Sequence, residues 1–104
     1  MVDIPENDSD AVYRQSAERT VELGNKLADA DRDADLWDIA DGLLAGAVHF
    51  WLYSRQPCGD IHCEDCAAIR TAEARMMELR QAIEQVAAES EYFHTPNDLN
   101  AGRA

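Results

Sequence analysis

Apolar residues recur along the C-terminal half of this chain in alternating steps of three and four. Ile69, Ala72, Met76, Leu79, Ile83 and Val86 form the series. Residues at that spacing share one face of a helix, and the alternation makes an a/d seam of about two and a half heptads. Charges of both signs fill the other positions, as a solvated helix requires. The pattern predicts a helix from near Glu64 to about Phe93, with Pro96 ending it.

A second series, Leu36, Ala40, Leu43, Ala47 and Phe50, lies upstream, and Trp37, Leu44, Val48 and Trp51 widen it. It predicts the most apolar helix, from about Asp33 to Arg55 or Gln56, centred in the core and stopped by Pro57. Gly42 and Gly46 are four apart and flanked by Ala45 and Ala47. Small residues at that spacing let another backbone approach, within the chain or across a dimer. A weaker periodicity in Tyr13, Ala17, Val21 and Leu27, with Val12 and Leu23 beside them, predicts a first helix from Asp10 to about Ala30. Ser9 is its expected N-cap. Gly24 weakens it by roughly 1 kcal/mol relative to alanine.

The connection Asp29-Ala30-Asp31-Arg32-Asp33-Ala34-Asp35 spaces its aspartates like the first ligands of a calcium-binding EF-hand loop. Ala34 stands where that loop needs glycine, and Ala40 stands where it needs a bidentate glutamate. The better reading is a helix–helix turn whose last aspartates cap the next helix. No strand pattern or internal repeat stands out. The organisation is therefore a polar leader over residues 1–8, a helical domain over residues 9–95 and a disordered tail over residues 96–104. The fold class is all-α: a three-helix up-down-up bundle, with helices about 30–40 Å long at about 1.5 Å per residue. The seam of the third helix and the glycine face of the second also suit a homodimer.

Charge narrows the function. The 104 residues carry 21 acids against 9 bases, a net charge of −12. Residues 1–41 hold 12 of those acids and 4 of the bases, or −8. Such a surface repels nucleic acid and anionic membranes, keeps the chain soluble and attracts a basic protein partner. It also suits an acidic nucleic-acid mimic that blocks a basic partner. The N-terminus lacks a basic-then-apolar secretory signal, and the longest weakly polar run, Gly42 to Tyr53, is too short to span a bilayer. A cytoplasmic location is expected, where thiols stay reduced.

The chemistry is concentrated between the second and third helices, in Pro57-Cys58-Gly59-Asp60-Ile61-His62-Cys63-Glu64-Asp65-Cys66. All three cysteines of the protein fall in this turn. An odd number of thiols argues against a plain disulfide framework, and their clustering points to a metal or redox centre. Cys63 and Cys66 form a C-x-x-C pair at the expected start of a helix, and Cys58 reaches them across the turn opened by Pro57 and Gly59. Zinc takes four ligands in structural sites, so a fourth donor is needed. His94 is about 40 Å away along an unbroken helix, and His49 is about 13 Å up the preceding one. His62 is the preferred fourth ligand, with Asp60, Glu64, Asp65, water or a partner chain as substitutes.

The same C-x4-C-x2-C spacing opens the set that holds the cluster in plant-type iron–sulfur ferredoxins, but the distant fourth cysteine is missing. Three thiolates alone suit a soft ion such as copper(I). A redox switch through Cys63 and Cys66 is a further option. No phosphate loop, nucleophile elbow, zinc-protease motif or di-iron motif is present. An enzyme is the weakest reading. The expected function is a small regulatory or protein-interaction module with a zinc site of Cys58, Cys63, Cys66 and His62. A metal or redox sensor using the three thiols is the alternative.

Overall fold

The computed structural model describes residues 8–96 and residue 98. Most of the expected leader and tail, residues 1–7, 97 and 99–104, lies outside the described residues. The fold is all-α. In chain order come α1 (Asp8–Ala30), α2 (Leu36–Ser54), a 3-10 helix (Glu64–Ile69) and α3 (Ala72–Glu89). Among the described residues there is no strand, and no helix is long and apolar enough to cross a membrane. The chain divides into two compact units, Met1–Trp51 and Leu52–Ala104.

The first unit holds α1, most of α2 and their connection. Ser9 and Asp10 lie inside the first turn of α1, so Ser9 is not the N-cap expected from sequence. Two aspartates of the connection, Asp31 and Asp35, accept local hydrogen bonds through their carboxylates. The Asp33 N–H donates to Asp31 Oδ1 at 3.0 Å, and the Ala34 N–H donates to the Asp31 carbonyl at 3.1 Å. The Trp37 N–H donates to Asp35 Oδ1 at 2.9 Å, which makes Asp35 the cap of α2. This turn delays the start of α2 from the expected Asp33 to Leu36.

The glycines behave differently from expectation. A Cβ placed on Gly24 would sit 2.9 Å from Leu43 Cδ1, so α1 meets α2 closely there. Gly42 and Gly46 have nothing within 4 Å of such a Cβ. The glycine that weakens α1 is thus the one that admits a neighbour. Nor is α2 the buried centre it was expected to be, since none of its side chains is fully buried.

The second unit carries the cysteines. Gln56 Nε2 donates to the Leu52 carbonyl at 2.9 Å and closes the end of α2 just before Pro57. The chain then turns through residues 57–63 into the 3-10 helix, which packs against α3. The third helix therefore does not start near Glu64. Thr71 is extended (φ −109°, ψ 161°), and its hydroxyl accepts the Ala74 N–H at 3.0 Å. A threonine that caps cannot also continue a helix, so the expected single helix divides into a 3-10 segment and α3. At the other end the Ser90 N–H bonds to the Ala87 carbonyl, and α3 stops at Glu89, short of Phe93. Leu79, in the middle of the seam, is 7% exposed and is the one buried side chain among the described residues. Trp37, Tyr53, Tyr92 and Phe93 are exposed.

Candidate metal centre

The loop that carries the site is built from two consecutive tight turns. The Cys63 N–H donates to the Asp60 carbonyl at 3.1 Å, and the Cys66 N–H donates to the Cys63 carbonyl at 3.3 Å. The Asp60 carboxylate supports the first turn by accepting the His62 N–H at 2.9 Å. Cys63 closes the first turn and opens the second, so Cys63 and Cys66 advance along one side of the loop. Cys58 reaches them across the turn. Its N–H points at Cys66 Sγ at 3.4 Å, and the two sulfurs lie 3.6 Å apart.

The result is convergence. The sulfurs of Cys58, Cys63 and Cys66 all lie within 4.8 Å of one another. A tetrahedral ion with metal–sulfur bonds of about 2.3 Å holds its thiolates about 3.8 Å apart. The 3.6 Å between Cys58 and Cys66 is close to that edge. All three thiols are free rather than disulfide-bonded. Cys58 is exposed, while Cys63 and Cys66 are half-buried. The donor set is soft and, once deprotonated, anionic. It suits zinc, copper(I) or another thiophilic ion.

The cluster polarises its own thiols. Cys63 is held below the ordinary thiol range because the Cys66 thiol donates to it, helped by the Cys66 N–H and the Cys58 thiol. On Cys66 the largest single influence, the Cys58 N–H, favours the thiolate. The opposing effects of the Cys63 and Cys58 thiols, with partial burial, outweigh it and push Cys66 up. Cys63 is therefore the first of this pair to lose its proton, and Cys66 keeps its own for longer.

Of the four residues expected to bind metal, Cys58, Cys63 and Cys66 are brought together. His62 is exposed, and the converged set consists of the three cysteines without it. Asp60 is committed to the turn through its carboxylate and its carbonyl. His94 lies elsewhere, with its Nδ1 3.4 Å from the Asp98 carboxylate and its ring edge-on to Phe93 at 4.9 Å.

Sequence reasoning missed the two arginines that brace the loop. Arg70 donates from one guanidinium nitrogen to the Asp60 carbonyl at 3.1 Å and from another to the Cys63 carbonyl at 2.7 Å. Arg75 donates to the Ile69 and Arg70 carbonyls at 3.0 and 3.3 Å, closing the end of the 3-10 helix. A sequence signal was available, since no lysine or arginine occurs between Arg55 and Arg70. Arg70 is the first cation to follow an acidic, cysteine-bearing loop. No protein family, curated protein or solved structure matches this chain.

Proposed function

We propose that this chain is a small cytoplasmic interaction or regulatory protein whose cysteine loop holds a zinc-like ion. Cys58, Cys63 and Cys66 are the ligands, and His62 supplies the fourth by turning its imidazole toward the thiols. The observation that carries the reading is the convergence of three thiol sulfurs within 4.8 Å. Three thiolates crowded together repel one another, and a bound cation turns that repulsion into cohesion. The ion then ties the segment after α2 to the segment before α3. A chain of this size with so little fully buried side-chain surface gains stability from such a tie.

In this reading the three long helices pack as an up-down-up bundle or pair with a second copy through the α3 seam. Met76, Ile83 and Val86 of that seam are exposed and available for packing. The acidic surface of α1 and its connection to α2 faces a basic protein partner, steered by the net charge of −12. The test is thermal unfolding of the reduced protein with and without a strong chelator. A lower midpoint after chelation, restored by stoichiometric zinc, supports the metal tie. Superimposable unfolding curves refute it.

The exposure of Cys58 favours a second reading, a metal or redox sensor whose thiols change state in use. It calls for rapid labelling of Cys58 in the native protein at neutral pH and for reversible metal loss. Slow labelling in the absence of metal rules it out.

A further inference from the structure

Arg70 occupies a place in this loop that neither the metal reading nor the fold alone explains. Its guanidinium forks to the Asp60 and Cys63 carbonyls, at 3.1 and 2.7 Å. These carbonyls also accept the Cys63 and Cys66 amides, so they define the two turns. The side chain is half-buried, and no other cation lies between Gln56 and Ile69. A planar fork with fixed donor directions sets the spacing of two acceptors in a way that a flexible ammonium does not. The spacing of these carbonyls is the spacing of the turns, and each turn ends on a cysteine. Arg75 extends the brace. It bonds the Arg70 and Ile69 carbonyls from the first turn of α3, so the loop is referred to a regular helix.

We infer that Arg70 is a positioning residue that preforms the three-thiol site before any ion arrives, by locking the Asp60–Cys63 and Cys63–Cys66 turns to each other. The consequence for metal binding rests on the metal reading above, whereas the locking of the turns does not. Preformation matters because an unbraced nine-residue loop must lose conformational freedom as it closes on an ion. With the fork in place, that loss is borne during folding. Charge adds to the effect. Three thiolates and a divalent ion sum to −1, and Asp60, Glu64 and Asp65 share the segment, so a cation fixed beside it limits the build-up of negative charge.

The experiment compares the full-length reduced protein with Arg70→Met, which keeps the apolar stem, and with Arg70→Lys, which keeps the charge but not the fork. Two readouts are needed. The first is amide hydrogen exchange in the metal-free proteins. In Arg70→Met, the Cys63 and Cys66 amides are expected to exchange about tenfold faster or more, as for the loss of a charge-assisted hydrogen bond. Amides in the middle of α3, around Leu79, should keep their rates and report that the helix is intact. The second is zinc affinity by competition with a chromophoric chelator. A loss of roughly ten- to a hundredfold is expected for Arg70→Met, with a smaller loss for Arg70→Lys. Unchanged exchange at Cys63 and Cys66 in Arg70→Met overturns the proposal, as does full rescue of the turns by lysine, because the fork would then be irrelevant. If the unaltered protein takes up no zinc, the metal reading fails and the exchange data alone decide the role of Arg70.

Discussion

Replacing Cys66 by serine tests the donor set at its most connected member. Cys66 Sγ is 3.6 Å from Cys58 Sγ and receives the Cys58 N–H at 3.4 Å, so it anchors the returning strand of the loop as well as offering a ligand. Structural zinc sites bind with about 10–16 kcal/mol spread over four ligands, or roughly 2.5–4 kcal/mol for each. A serine hydroxyl stays protonated at neutral pH and replaces a thiolate poorly. Removing one thiolate from a three-thiolate set should therefore weaken zinc binding by about two to three orders of magnitude. Cys58→Ser and Cys63→Ser should show losses of the same order. His62→Ala sorts the fourth position: a comparable loss marks His62 as a ligand, and an unchanged affinity assigns that position to another donor. The assay is competition with a chromophoric chelator under reducing conditions, with the secondary structure of each variant checked in parallel. Zinc affinity of Cys66→Ser within about threefold of the unaltered protein would refute the reasoning, because no shared ion can be indifferent to one of its ligands.

Other expectations follow from named contacts. Thr71→Ala removes the hydroxyl that accepts the Ala74 N–H and should destabilise α3 by about 1 kcal/mol, read from chemical denaturation; Thr71→Ser should be close to neutral. Gly42→Ala and Gly46→Ala meet nothing within 4 Å and should each stabilise α2 by roughly 0.5–1 kcal/mol. A loss of stability in either would show that a helix or a second copy packs there, as the bundle and dimer proposals allow. In the metal-free protein, alkylation should follow the order of ionisation. Because the Cys63 pKa is lowered and that of Cys66 is raised, Cys63 should reach its half-maximal rate at lower pH than Cys66. Peptide mapping of partially alkylated protein checks the order, and the reverse order would contradict the assigned polarity of the cluster.

The helical class and the site were both legible in the residues, for different reasons. The three-four spacing in Ala72 to Val86 is that of a helix face, and three cysteines within nine residues lie close enough along the chain for tight turns to bring them together. Pro57 marked the end of α2, and the aspartates of the 29–35 connection marked a cap, which Asp35 provides. What misled was continuity. The seam runs through Ile69 and Ala72 without interruption, so it gave no sign that Thr71 would leave the helix and turn its hydroxyl to Ala74. Apolar periodicity records which face is covered, not where a capping side chain outcompetes the helix for a backbone amide. The glycines misled similarly. Gly42 and Gly46 match a close-packing pattern, but closeness depends on the partner helix, and α1 presents Gly24 to Leu43 instead. Arg70 left only a faint mark, as the first cation after the acidic loop, because its partners are backbone carbonyls, which every residue carries.

One ion shared by Cys58, Cys63 and Cys66 underlies the proposed function. Native mass spectrometry of freshly purified, reduced protein tests it most directly, combined with thiol alkylation before and after chelation. The expected result is a mass increment of one zinc-like ion per chain, with all three cysteines protected until the chelator is added. A metal-free mass with three freely alkylated cysteines, unchanged when stoichiometric zinc is supplied, would contradict it.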